Sequence, residues 1–387
     1  MDSDTNGKGM ILVRKLLFLT SYPSPYRVAF FDVLGKDADV TVLFFDQKEK
    51  QTHRAKQWFE EGEGRFHWVQ LEKCSMELQG RALCTDVIPW LKKRYDAIII
   101  CGYSSPTAIL AMAYLRLRGI PFYMEVDGGL IRQENKAKYW VKKTLVGMAD
   151  RWLSTGRYTT KYLVHYGAKQ EKVIHYPFSS LYEKDIRAAI VHQDEKKALR
   201  GELDIPEKHM VLAIGQFIHR KGFDVLMQAA KSLDGDVGIY IVGGEATEEY
   251  RKLREELGVS SVHFLGFQKK ERLARYYQAA DLFVLPTRED IWGLVINEAM
   301  AYGLPVVTTD RCVAGLELVE DGVNGYIVPV GDANALAEKI RAVLNSDLEQ
   351  MGAASLEKIR PYTLENMAKR HVEILDAGEG PCTSFTR

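Results

Sequence analysis

Short runs that are apolar on both faces, separated by amphipathic stretches, constrain this chain more than any other feature. In the first half the runs lie at 15–19, 40–45, 97–101, 121–125, 152–154 and 173–175. In the second half they lie at 210–214, 237–242, 262–265, 282–285, 305–309 and 325–328. Amphipathic segments at 224–232, 247–257, 269–279, 294–301 and 333–344 sit between them. A strand with no polar face must be covered on both sides, so strands spaced by helices predict parallel, doubly wound α/β sheets. The pattern occurs twice. The polar stretch 182–208, with Gly201 and Pro206, separates the two series. The reading is therefore two Rossmann-like domains, at 1–190 and 191–360, facing a central cleft, with a final segment at 361–387. Such folds bind ligands at the carboxyl ends of their strands.

A length of 387 residues fits two domains or slightly more. Lys plus Arg and Asp plus Glu are both 52, which argues against a globally basic nucleic-acid binder, and no nucleic-acid motif is present. The five cysteines, at 74, 84, 101, 312 and 382, are odd in number and lack C-x-x-C spacing. That argues against a disulfide framework and a zinc site, and for a reducing, cytoplasmic setting. The histidines show no metal-ligand spacing. No apolar run reaches 18 residues, so no spanning helix is expected. Residues 10–20 carry Arg14 and Lys15 and read as a strand rather than a signal peptide, with 1–9 a disordered leader and 377–387 a frayed tail. Between 132 and 172, ten basic residues face three acidic ones, with Trp140, Val141 and Leu145 interleaved near the start. This stretch is either a solvated helix face or a peripheral contact with an anionic membrane.

Two segments carry chemistry. The first, 282–308 (LFVLPTREDIWGLVINEAMAYGLPVVT), reads strand, loop, helix, strand. A helix starting near Gly293 leaves the amides of Leu294, Val295 and Ile296 as unpaired first-turn donors, an end suited to a diphosphate. Asp290 precedes that helix and Glu298 lies one turn into it. Both carboxylates are suited to paired sugar hydroxyls, the alternative being a helix cap and a solvated side chain. The second segment, 215–226 (GQFIHRKGFDVL), follows the first strand of the second domain. Gly215 and Gly222 bracket a sharp loop carrying Arg220 and Lys221, and charge-assisted contacts to phosphate are the strong kind. It is not a P-loop.

Together these segments resemble the family 4 retaining glycosyltransferases of the GT-B fold, group 1 type. The resemblance covers nearly the whole chain and is most specific over 211–330. It implies that Lys221 and Arg220 grip the donor diphosphate and that Glu298 binds the ribose hydroxyls. It places Asp290 on the donor sugar with backbone amides near Trp292, Gly293, Leu294 and Val295. VHFLGF, at 262–267, matches the stretch on the nucleobase, which implies roles for Gly266 and Phe267. The helix read at 364–375 is expected to cross back to the first domain, as it does in the family.

Three positions depart from the family pattern. Asp290 stands where a glutamate is usual. Gln216 stands where many members have an arginine, a role Arg220 can take. In MEVDGG, Asp127 falls near the position of a family histidine, with Glu125 as the competing candidate. On the acceptor side, SYPSPYR offers Tyr26 and Arg27. The resemblance is to members that build bacterial capsule and exopolysaccharide. It implies a UDP- or GDP-linked sugar donor, no further cofactor, no metal, and a saccharide or lipid-linked saccharide acceptor at the inner membrane face. A two-domain nucleotide-sugar epimerase and a non-catalytic sugar-nucleotide-binding protein are the alternatives.

Overall fold

The computed structural model describes residues 13–45, 64–78 and 81–377. The expected leader, most of the expected tail and Cys382 lie outside these residues. The first half contains strands β1 (Arg14–Thr20), β2 (Ala38–Phe44), β3 (His67–Gln70), β4 (Cys74–Leu78), β5 (Arg81–Cys84), β6 (Ala97–Cys101), β7 (Tyr123–Val126), β8 (Arg151–Ser154) and β9 (Val173–His175). The second contains β10 (His209–Ile214), β11 (Val237–Val242), β12 (Val262–Leu265), β13 (Leu282–Leu285), β14 (Val306–Thr309) and β15 (Gly325–Val328).

They build a sheet in the order β3-β2-β1-β6-β7-β8-β9 and another in the order β12-β11-β10-β13-β14-β15. All pairings within these two sheets are parallel. The central strands are apolar because helices cover both faces: Leu16, Leu17, Phe18 and Leu19 are all fully buried. Strand order reverses between β1 and β6, and again between β10 and β13. Ligand crevices form at such reversals, outside the carboxyl ends of the strands. The loops after β1, β10 and β13 carry SYPSPYR, GQFIHRKG and PTREDIWG respectively.

Each half has an apolar cluster of its own, and a third cluster spans the two. Phe178, from the connection after β9, meets Trp292 edge to face at 5.5 Å, and its carbonyl accepts from Asn297 Nδ2 at 3.1 Å. The helix Leu364–Ala377 lies against the helix Pro25–Leu34, with the His371 ring 4.9 Å from that of Phe30. A second contact crosses between the halves. The Glu317 carboxylate accepts from the Tyr158 amide at 2.5 Å, at the amino end of the helix Arg157–His165. An anion there meets unpaired amides and the positive end of the helix dipole.

One expectation is overturned. Cys74 and Cys84 form a disulfide across the antiparallel hairpin β4–β5, where they stand opposite each other. The pairing is set by hairpin register, which the ten-residue spacing does not reveal, so the cysteines no longer point to a reducing compartment. Cys101 and Cys312 are free. Among the described residues no helix is long and apolar enough to cross a membrane.

Candidate active site at the interdomain cleft

The loops after β10 and β13 are tied to one another, and that tie places the charges. The Arg288 amide donates to the Arg220 carbonyl at 2.8 Å. The Arg288 guanidinium forks onto Asp224 at 2.6 and 2.7 Å and reaches the His219 carbonyl at 2.8 Å. Thr287 Oγ1 lies 2.9 Å from the Arg220 carbonyl and 3.0 Å from that of Glu289, either of which can accept its proton. Gly222 has φ +70°, and a Cβ there would meet the Pro286 carbonyl oxygen at 2.0 Å, so only glycine allows the two loops to approach this closely.

In this frame Lys221 Nζ lies 2.6 Å from Asp290 Oδ2. Arg220 Nη1 lies 3.4 Å from the same oxygen and 2.8 Å from the Glu289 carbonyl. The Lys221 stem runs over Gly215, and Gln216 is exposed at the start of the loop. Two cations share one carboxylate, which leaves one unit of positive charge. It sits beside the helix Leu294–Ala301, whose cap residue Gly293 provides no side-chain hydrogen bond. The Leu294 and Val295 amides are first-turn donors. Ile296 is a correction: its amide donates to the Gly293 carbonyl at 2.8 Å, because the first turn tightens. Asp290 is likewise the partner of the cations rather than a cap of the helix. The Trp292 side chain is buried, with Nε1 donating to Asn297 Oδ1 at 2.9 Å.

Glu298 is engaged separately, accepting from Tyr277 Oη at 2.9 Å. Burial pushes its carboxyl above the usual range, against the pull of Tyr277. Gly266 lines a cavity of about 370 Å³ with Gly244, Glu245, Arg251, Arg254 and Phe264. The Phe267 side chain is exposed.

The first half contributes a cavity of about 260 Å³ lined by Tyr22, Tyr26, Tyr103, Tyr162, Asp127 and Ile291, among others. Asp127 and Glu125 are its carboxylates. Arg27 corrects a second expectation: it borders this cavity but is 3% exposed, and its guanidinium is forked between Glu125 Oε1, at 2.5 Å, and Asp127. It is committed to carboxylates rather than open to an acceptor. Tyr26 Oη is 3.3 Å from Asp127 Oδ2. Burial raises the Asp127 pKa, with Arg27 opposing and the Glu125 charge reinforcing. Glu125, fully buried, goes the other way. Burial works to raise it, but Arg27 and His371 outweigh that and hold it at about 2. Both carboxylates border the cavity, the Asp127 side chain 21% exposed and that of Glu125 fully buried.

The two sets of residues meet directly. Gly128 packs so closely on Ile291 that a Cβ would fall 1.5 Å from the Ile291 carbonyl oxygen. Arg132 pairs with Glu289 beside this contact. The 127–132 segment therefore packs against the loop that carries Asp290, which is in turn tied to the loop of the two cations. Nothing local in the sequence marked this seam, nor the roles of Tyr277, Glu317 and His371. Each acts on a residue far away along the chain.

Two parallel-sheet domains closing on a charged cleft define a GT-B architecture, and solved structures agree. Sucrose-phosphate synthase from Thermosynechococcus elongatus superposes with TM-score 0.72 at 20% identity, over 94% of this chain and 98% of that one. Anabaena Alr3699/HepE in complex with UDP and glucose gives 0.70 at 19%, over 94% and 100%. Residues 195–359 match the family model described as Glycosyl transferases group 1. A lipopolysaccharide core biosynthesis glycosyltransferase, LpsE, of Rhizobium meliloti is 37% identical over 184 residues, 46% of this chain and 52% of that protein. A D-inositol 3-phosphate glycosyltransferase of Corynebacterium urealyticum is 35% identical over 191 residues, 45% of each. The matched segments span about half the length of these curated relatives.

Proposed function

We propose that this protein transfers a sugar from a nucleotide-diphosphate sugar to a saccharide or lipid-linked saccharide acceptor in glycoconjugate biosynthesis, with retention of configuration. The observation that carries the reading is the Lys221–Arg220–Asp290 cluster at an uncapped helix end. A diphosphate arriving there replaces Asp290 as the partner of Lys221 and Arg220, and takes hydrogen bonds from the first-turn amides of Leu294 and Val295. Asp290, released, is free to accept from the donor sugar's hydroxyls. Glu298 accepts from the ribose, and the cavity at Gly266 receives the base. UDP and glucose in the HepE complex are consistent with such a donor, here UDP- or GDP-linked.

Catalysis in this reading rests on placement and on charge. Fixed cations and helix amides stabilise the leaving diphosphate as charge develops, without a metal. Asp127, across the seam, orients the acceptor in the tyrosine-lined cavity, and closure over Gly128 and Ile291 excludes water as a competing acceptor. The helix Lys136–Val146 exposes Trp140 and Val141, each 59% accessible, with Lys143 Nζ 4.9 Å from the centre of a Trp140 ring. This surface suits peripheral contact with an anionic cytoplasmic leaflet, where a lipid-linked acceptor would be met. Capsule, exopolysaccharide and lipopolysaccharide precursors all belong to this acceptor class, and the LpsE likeness favours the last.

A thermal-shift panel of UDP-, GDP- and ADP-sugars, followed by mass spectrometry with saccharide acceptors, tests the proposal. A selective donor and a product heavier by one sugar are expected. Donor conversion without acceptor would indicate an epimerase, and binding without turnover a non-catalytic protein. Either result would overturn the proposal.

A further inference from the structure

We infer that the C-terminal helix acts on the acceptor cavity through His371, a positioning residue that holds the Glu125–Arg27–Asp127 chain in register. The inference rests on the glycosyl-transfer reading for its kinetics, but its geometry is independent of it. His371 is 1% exposed and packs its ring against Phe30 and Tyr176, both at 4.9 Å. Nδ1 lies 2.8 Å from the Met367 carbonyl. A carbonyl only accepts, so Nδ1 carries a proton. Nε2 then points at Glu125 Oε2, 3.5 Å away, and has no hydrogen-bond partner among the described residues. A packing role alone would be filled by an apolar ring. A buried nitrogen aimed at a buried carboxylate is instead suited to a second, charge-assisted contact.

The charge count explains what that contact does. Glu125 on β7 and Asp127 just beyond it share one cation, Arg27, from the helix Pro25–Leu34. Tyr176 Oη donates to Glu125 Oε1 at 3.2 Å, and Cys101 Sγ lies 3.9 Å from Oε2. These groups and the Met367 carbonyl are what face the imidazole and its carboxylate. Without a proton on Nε2 the cluster holds two anions and one cation, and the two carboxylates compete for Arg27. With it, His371 serves Glu125, and Arg27 can hold Asp127 at the cavity wall. The helix bearing His371 is fastened at its start to the connection between the halves. The Leu364 amide donates to the Leu181 carbonyl at 2.7 Å, and Ser179 Oγ donates to the Tyr362 carbonyl at 2.7 Å. Its register is therefore set by the same segment that joins the two domains.

The full chain is compared with His371→Phe, which keeps a ring against Phe30 and Tyr176, and with His371→Gln, whose amide can donate to Glu125. His371→Phe should lower kcat/KM for the acceptor about tenfold or more, with donor affinity unchanged within about twofold. His371→Gln should recover most of the rate. Acceptor kinetics of His371→Phe equal to the parent's, or His371→Gln as impaired as His371→Phe, would overturn the inference. The side-chain NMR signals of Arg27 supply a readout without turnover. They should shift and broaden in His371→Phe and stay near the parent's positions in His371→Gln. If the parent transfers no sugar, the functional reading fails, while unchanged Arg27 signals in His371→Phe would separately refute the positioning role.

Discussion

Gly128→Ala is a single methyl placed on the seam between the two halves. At that position Cβ would lie 1.5 Å from the Ile291 carbonyl oxygen and 2.5 Å from its carbonyl carbon, where real Cβ contacts stay beyond 3.0 Å. The loops must therefore separate by at least about 1.5 Å. The obstruction is backbone, so no rotamer change relieves it. That displacement strains the Arg132–Glu289 pair and moves Asp127 away from the loop of Asp290. Reacting groups lose on the order of 100-fold in rate for a misplacement of about 1 Å. In the proposed reading donor binding depends on residues of the second half, none of which the variant replaces. Steady-state kinetics with calorimetry should show turnover reduced about 100-fold and donor affinity changed by less than about threefold. Turnover equal to the parent's would refute the reasoning, since the seam would then not be the catalytic arrangement. Loss of donor affinity to the same extent as turnover would refute it too, because the second half would not bind donor on its own.

Other perturbations follow from the same contacts. Lys221→Met removes the cation closest to Asp290 and should cut kcat by about 100-fold, measured by product formation at saturating donor. Glu317→Ala removes the carboxylate at the amino end of the helix Arg157–His165 and should cost about 1–2 kcal/mol, read as a lower urea midpoint. Glu125 has its folded pKa depressed from 4.5 to about 2. Its stabilising contribution is thus present above about pH 4.5 and is lost as pH falls towards 2. Thermal melts across that window should show Glu125→Gln less pH-dependent than the parent.

Much of the fold was legible because buried parallel strands announce themselves. AIIIC and VGIYIV are apolar at nearly every position and became β6 and β11 with the expected bounds. HWVQ was not legible: β3 is an edge strand, half-exposed and carrying polar residues. The hairpin β4–β5 mixes charged and apolar residues in strands of four and five, and its disulfide went unread with it. At the site, the basic loop and the helix start could be found because glycine, cations and an uncapped helix end leave local signals. Arg27 could not be placed, since SYPSPYR reads as an exposed turn and its burial is decided by carboxylates about a hundred positions away. His371 sits on an ordinary amphipathic helix, and only the crossing of that helix onto the first sheet gives its nitrogen a carboxylate to face. The assignment of Ile296 failed for a smaller reason: whether a first turn tightens is a matter of backbone geometry that residue types do not encode.

The central claim is that Lys221, Arg220 and the helix tip at Leu294 clamp a diphosphate. Isothermal titration of UDP, GDP and their sugar conjugates into the parent and into an Arg220→Met, Lys221→Met double variant tests it most directly. One nucleotide should bind the parent at one site per chain and bind the double variant at least about 100-fold more weakly, with the variant's melting temperature preserved. Equal affinity in the two proteins, or no heat with any of these nucleotides, would contradict the account.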